Sequence, residues 1–282
     1  MIQILSESLQ FIFMRNALMA GLLVSLACGI IGTYVVVNRI VFISGGIAHT
    51  AYGGIGLGYF FGFNPILGAI LFSLLAAFGI GIVERKTRQR SDTIIGMMWA
   101  IGMSVGIILI DKTPGYKADL MSYLFGSILA VPTQDLYIML ALDVIIIFLV
   151  VILFKELLAI SFDDAFATVE NVQVNVIYMI LLGMIAFTVV MMMRVVGLIM
   201  VIALLTMPAA ISGLFIKDIK KMMISASLLG MLFTTIGLFL SYYLNITSGA
   251  TIILVAAAGF LLSTLINSIF INRSRKKLQL TN

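Results

Sequence analysis

The chain has a single histidine, His49, and it stands in the run Ile43-Ser44-Gly45-Gly46-Ile47-Ala48-His49-Thr50-Ala51-Tyr52-Gly53-Gly54-Ile55-Gly56-Leu57-Gly58. Imidazole can move a proton, bond a backbone carbonyl or ligate a transition metal. Here it lies near the start of an apolar stretch that reaches Gly62. An ionisable ring there is costly, and such groups face a bundle interior or a water-filled path. On residue type alone two readings of His49 stay open: a packed ring bonded to a carbonyl, or a transient metal ligand.

Few other side chains have the chemistry to join it. Asp143 is the other acid placed inside an apolar run. Met191, Met192, Met193, Met200 and Met207 carry thioethers that suit soft metals, but with 18 methionines in the chain packing is their main expected use. Pro208 lacks an N–H within an apolar run, which predicts a kinked or broken helix with freed carbonyls that could line a cavity.

The glycines do not form a phosphate-binding loop, because no lysine follows them and no strand precedes them. No H-E-x-x-H occurs, so a zinc-dependent intramembrane protease is not indicated. An ion-driven secondary transporter would usually carry several intramembrane carboxylates, and only Asp143 qualifies. Gly54, Gly58 and Gly62 recur every fourth residue, the spacing that lets helix backbones approach closely in lipid.

A second stretch has chemistry of a different kind. Ser161-Phe162-Asp163-Asp164-Ala165-Phe166-Ala167-Thr168-Val169-Glu170 has a serine near its start, early carboxylates, and apolar Phe162, Ala165, Phe166 and Val169 at i, i+3, i+4 and i+7. This pattern predicts one short amphipathic helix over 161–170. Its acidic face would be repelled by anionic headgroups, so a groove on a cytoplasmic partner suits it better than the lipid surface.

The elements that must position these residues are membrane helices. With 62% hydrophobic residues and a mean hydropathy of +1.20, the chain has more apolar surface than a soluble domain of its length buries. Apolar runs of spanning length lie at 17–37, 46–62, 65–83, 93–110, 136–154, 176–193, 195–216, 222–244 and 250–270. They are too long and continuous for barrel strands. The runs either side of Arg194 nearly merge, so eight passes with one broken segment is the alternative to nine. The intervals between runs are too short for an independent core, so the expectation is one transmembrane domain over 1–282. The fold class is all-α, a polytopic integral membrane protein with eight or nine transmembrane helices and a short cytoplasmic helix.

Met1 to Asn16 lacks a basic segment followed by a small-residue cleavage site and reads as a short interfacial helix. Cys28, the sole cysteine, lies inside the first run, so no disulfide forms within the chain. In the nine-pass arrangement Arg39, Arg85, Lys86, Arg88, Arg90, Lys155, Lys217, Lys220, Lys221, Arg273, Arg275, Lys276 and Lys277 fall on one side. Arg15, Lys112, Lys117 and Arg194 fall on the other. The excess of basic residues marks the cytoplasmic side, with the N-terminus outside and the C-terminus inside the cytoplasmic membrane. The clusters are topology determinants and lipid-headgroup contacts, not a nucleic-acid surface.

Five ordered stretches resemble one family: the membrane permease subunits of ATP-binding-cassette importers for zinc, manganese or iron(II). The resemblance runs from Asn16 to Ile271. Ser44 to Gly58 looks like its signature, in which a histidine follows an aspartate by four residues and a glycine-rich helix comes next. Ser91-Asp92-Thr93-Ile94-Ile95-Gly96 resembles the start of its fourth pass, and 124–131 its external loop segment. Ser161 to Asp164 is similar to its coupling helix, and Val196 to Ala210, with Pro208-Ala209-Ala210, to its late stretch.

The resemblance implies an importer of two permease chains, two cytoplasmic ATPase subunits and an extracytoplasmic metal-binding protein. It implies no permanently bound cofactor, with a divalent metal ion as cargo and ATP hydrolysis in a separate chain. Transposed here, the family's aspartate and histidine fall on Gly45 and His49, so the imidazole is kept and the carboxylate is absent. Translocation-path candidates are Gly45, Asp143 and Pro208. ATPase-coupling candidates are Ser161, Phe162, Asp163, Asp164 and Phe166. The runner-up is a permease of the same architecture carrying an iron chelate or cobalamin.

Overall fold

The computed structural model describes residues 10–86, 91–114, 124–198 and 201–279. Among them are α1 (Ile12–Val37), α2 (Val41–Phe61), α3 (Pro65–Lys86), α4 (Ser91–Lys112), a 3₁₀ turn (Ile128–Ala130), α5 (Thr133–Ile152), α6 (Phe154–Phe162), α7 (Asp164–Val169), α8 (Val174–Val195), α9 (Val201–Phe215), α10 (Ile219–Leu244) and α11 (Ser248–Gln279), and no strand. Seven of these helices are long and apolar enough to cross a membrane: α1, α3, α4, α5, α8, α10 and α11. With α2 and the shorter α9 they account for the nine apolar runs.

α2 is not among those seven, since glycines, Ser44, His49, Thr50 and two tyrosines dilute its hydropathy. It is tolerated because it is buried on every side, without interruption from Ile43 to Gly56. α3 and α4 supply most of that cover, with α8 and α9 closing the rest. A polar helix surrounded by apolar ones meets protein instead of lipid, and its side chains need partners only from its neighbours.

Glycine makes the cover tight. A Cβ at Gly54 would overlap the Gly68 backbone of α3, and one at Gly68 would overlap the Gly54 carbonyl. On the other flank, a Cβ at Gly53 would lie 2.9 Å from the Gly102 carbonyl oxygen of α4, and one at Gly56 2.6 Å from that of Gly106. Thr50 Oγ1 donates to Met98 O of α4 at 3.0 Å, a bond worth about 1 kcal/mol between membrane helices. Gly62, third in the four-residue series, departs from it. It caps α2 with φ 74° and no atom lies near its missing side chain, so it ends the helix instead of packing it.

α1 is the second scaffold. It packs along α10, where a Cβ at Gly29 would overlap Ser227 and Ser25 Oγ pairs with Thr234 Oγ1 at 3.1 Å. The N-terminal expectation changes here: Ile12 to Asn16 form the first turn of α1 itself, while residues 1–9 lie outside the described residues. Asn16 Nδ2 donates to Val131 O and to Thr133 Oγ1, at 3.3 and 3.1 Å, tying this end of α1 to the start of α5.

The bundle has two distinct ends. One gathers the end of α1, the end of α3, α6, α7 and the start of α10: Asn38 Nδ2 donates to Ser161 Oγ at 3.0 Å, Arg85 pairs with Asp164 at 3.3 Å, and Lys220 lies over the Phe154 ring at 4.6 Å. At the opposite end the 124–131 segment tucks into the break between α8 and α9, backbone against backbone at Gly126 and Gly197.

Candidate functional site

His49 lies two turns inside α2, not at its edge. The connection after α1 is only Asn38, Arg39 and Ile40, so the helix starts at Val41 and Gly45 and Gly46 are already helical. The ring is 7% exposed and stacks on Trp99 of α4, with centroids 3.6 Å apart and planes inclined by 12°. Its Nδ1 is buried with no hydrogen-bond partner among the described residues. The packed-ring reading required a carbonyl at such a nitrogen, and none is there. Unpartnered buried polar atoms are rare and need a reason. A ring nitrogen left without a partner is what a passing cation could use.

The surroundings of the ring are almost without acid. Gly45, one turn earlier on nearly the same face, is directed at α9, where Ile202 Cδ1 lies 2.7 Å from the position a Cβ would take. Asp143 is 2% exposed and neither carboxylate oxygen has a partner among the described residues, but it is on α5, which packs on α1, α6 and α8. Its titratable neighbour is Cys28 of α1, not His49. No group of three or more His, Cys, Asp or Glu side chains that could hold a metal forms among the described residues. What the geometry offers is one imidazole nitrogen, backed by an indole face, on the central helix. Such a donor holds a divalent ion weakly.

The remaining path candidates separate. Met191, Met192 and Met193 are buried in α8, Met207 is half-buried in α9, and Met200 lies outside the described residues. Pro208 is buried within α9, and the helix continues through it from Val201 to Phe215, so the expected break does not occur there. The break falls earlier, between Val195 and Val201, where Gly197 takes φ 79°. Ser212 Oγ donates to the Pro208 carbonyl at 3.0 Å and ties the following turn back to it.

The 161–170 stretch is two helices, which corrects the single amphipathic one. Ser161 and Phe162 end α6, and the Ser161 hydroxyl donates backward to Leu157 O at 2.7 Å. Asp163 is extended and caps α7, its carboxylate accepting from the Ala165 and Phe166 amides at 2.7 and 3.3 Å. Of the two capping candidates in sequence, the acid wins because a carboxylate accepts two amide bonds while the serine finds a helical carbonyl first. The step still presents an apolar face: Phe162, Phe166 and Val169 are 74%, 58% and 79% exposed. Asp164 lies beside them, held by Arg85 of α3. Arg85 also donates to Asn175 Oδ1 at 3.0 Å and lies over the Tyr178 ring at 4.4 Å, while the Tyr178 hydroxyl donates to Glu84 at 2.7 Å.

Sequence reasoning missed two residues, Trp99 and Arg85. Trp99 had one available signal, being the sole tryptophan on a helix expected to lie in the same bundle as His49. Arg85 sat within a basic cluster that read only as a topology signal.

Comparison with known proteins supplies the family. Residues 10–267 match the ABC 3 transport family. The chain is 60% identical over 263 residues to "Uncharacterized membrane protein slr2045" of Synechocystis sp., covering 93% of this chain and 94% of that one. It is 34% identical over 257 residues to "Manganese transport system membrane protein MntC" of Listeria monocytogenes, covering 91% of each. The solved structure "PsaBC from Streptococcus pneumoniae in complex with Fab" superposes with a TM-score of 0.85 at 34% identity, covering 93% of this chain and 95% of that one. A buried glycine-rich helix, nine apolar helices among the described residues and these matches over nearly the full length agree: the chain belongs to the ABC 3 transport family, the membrane permeases of metal importers.

Proposed function

We propose that this chain carries a divalent transition metal ion into the cytoplasm, as the membrane subunit of an importer whose ATP hydrolysis resides in a separate chain. His49 is the ligand that the ion meets within the membrane. The observation that carries this reading is the buried, unpartnered Nδ1 of His49 on a helix enclosed by protein. The metal is cargo, and a single neutral imidazole suits it: a weak donor captures an ion briefly and releases it.

The partners follow from the surfaces. The step formed by Asp163 between α6 and α7 is the docking surface for a cytoplasmic ATPase, because Phe162, Phe166 and Val169 are exposed there beside acidic Asp163 and Asp164. Arg85 and Lys220 flank the same end, which is therefore the cytoplasmic one, with the C-terminus on that side and the N-terminus outside. The opposite end, at Gly126 and Gly197, receives the metal from an extracytoplasmic binding protein. Two copies of the permease complete the importer in the lipid. The chelate or cobalamin reading is not favoured, since α2 meets α3 and α4 at backbone contact.

The test is uptake of radioactive manganese, zinc and iron in cells lacking their own importers, expressing this chain with its ATPase and binding protein. Accumulation of at least one ion, lost in His49→Ala at equal membrane abundance, is the expected outcome. Growth on an iron chelate or cobalamin with no uptake of free ion would overturn it.

A further inference from the structure

The sole histidine and the sole tryptophan of this chain are stacked face to face, and the family's carboxylate position beside the histidine is Gly45. A neutral imidazole gains little from a parallel indole. An imidazole that carries positive charge gains more, because the indole face is electron-rich and tryptophan is the strongest of the aromatic partners for a cation. A metal bound at a ring nitrogen withdraws electron density and leaves the imidazole cationic in character. The ion itself lies in the ring plane, off the edge, where an indole covering the face does not obstruct it.

The stack also governs direction. Trp99 covers one face of His49, and Thr50, the next residue, is bonded to Gly46 O and Met98 O, so α2 and α4 are locked in register at this level. Tilting the ring out of the stack to reach a carbonyl would cost the indole contact, and Nδ1 stays buried without a partner among the described residues.

Resting on the reading of His49 as the intramembrane ligand, we propose that Trp99 is part of the metal site: its indole face stabilises the charge of the metal–imidazole unit in place of the missing carboxylate. A carboxylate would neutralise the ion and hold it; an indole face stabilises charge without neutralising it. The site accepts a divalent ion and keeps it mobile.

The experiment uses the full chain in proteoliposomes, with manganese(II) chloride and zinc(II) chloride as probes. Trp99 emission reports binding directly, since no other tryptophan contributes. A saturable change on addition of metal is expected in the wild type and its loss in His49→Gln. Affinity is then measured by equilibrium dialysis with Trp99 replaced by mono-, di- and trifluorotryptophan, which keep shape and remove π density. The dissociation constant should rise stepwise, to about tenfold at the third fluorine, equivalent to about 1.4 kcal/mol. Trp99→Leu should weaken binding at least as much, and Trp99→Phe less. A dissociation constant indifferent to fluorination, in a chain whose binding is lost in His49→Gln, overturns the role of Trp99 and leaves His49 as ligand. Binding that persists in His49→Gln overturns both. The fluorinated series keeps the question answerable if Trp99→Leu fails to fold.

Discussion

Gly126 and Gly197 meet backbone to backbone, and both hold positive φ, 72° and 79°. Gly197 follows the last turn of α8 as a left-handed terminator, and Gly126 brings the 124–131 segment into the break so created. Two separate stretches that carried the family resemblance are thereby one structural joint. A third glycine, Gly249 of α11, closes it, with a Cβ there 2.7 Å from Phe125 O and 2.9 Å from Val196 O.

Alanine at either member should therefore destabilise the protein. Each change forces a left-handed Cβ, about 1 kcal/mol or more, and a backbone overlap on top of it. Melting of the detergent-solubilised chain should fall for Gly126→Ala and for Gly197→Ala, and the double variant should lose less than the two combined, because both changes open one contact. Gly183→Ala, whose Cβ would find its nearest atoms at 3.7 Å, should melt at or above the wild-type temperature. Equal melting of all three would refute the joint.

Gly45→Asp should tighten metal binding by restoring a carboxylate one turn from His49. The new side chain must first displace Ile202 Cδ1, the end of a flexible chain, so Gly45→Asp combined with Ile202→Ala should bind more tightly than Gly45→Asp alone. Uptake should fall as affinity rises, because release becomes limiting. Calorimetric titration and uptake normalised to folded protein separate the two effects; weaker binding in the double variant would show that position 45 is not beside the path.

Phe162→Ser with Phe166→Ser should abolish co-purification of the ATPase while leaving the permease inserted and folded. Both rings are mostly exposed, so their loss should change stability by no more than about 0.5 kcal/mol. Asp163→Ala removes the cap of α7 and should cost about 1 kcal/mol locally, lowering ATPase binding in proportion. An ATPase still recovered at its normal ratio from the double serine variant would place the dock elsewhere.

Arg85→Ala should separate attachment from drive. The Arg85–Asp164 pair is partly exposed and is worth at most about 1 kcal/mol to folding, so melting should barely move. The ATPase should still bind, since the exposed rings remain. Metal transported per ATP hydrolysed should fall severalfold, because α7 loses its tie to α3, and Arg85→Lys should restore it only in part, lacking the fork that reaches Asn175 and Asp164 from two separate nitrogens. A stoichiometry unchanged in Arg85→Ala would refute the tie.

Much of the fold was legible because apolar length is encoded locally. The nine runs correspond to nine helices, and the glycines at 54 and 58 announced a close approach that Gly68 and Pro65 complete. What was not legible depends on pairing between distant helices. Nothing in the spacing of Trp99 states that it faces residue 49, and nothing in the cluster around Arg85 distinguishes the one arginine that reaches Asp164. Local competition hid the rest: Ser161 and Asp163 are both good caps, and only the course of α6 decides between them. Gly62 has the packing spacing but arrives where the helix ends.

The glycine contacts that enclose α2 also constrain how this protein can move. With Gly54 against Gly68, and Gly53 and Gly56 against Gly102 and Gly106, neither α3 nor α4 can slide along α2 without driving one main chain into another. Sequence and packing thus join the three helices at main-chain contacts, and the freedom that is left to α2 lies at its ends. α2 is bounded by two residues in the left-handed region, Arg39 at φ 59° and Gly62 at φ 74°. Gly62 occupies the left-handed region at little cost, whereas Arg39 is held there against the preference of an L-residue. The two ends of α2 thus turn on residues in the same backbone region, strained at the end beside α6 and α7 and relaxed at the far end.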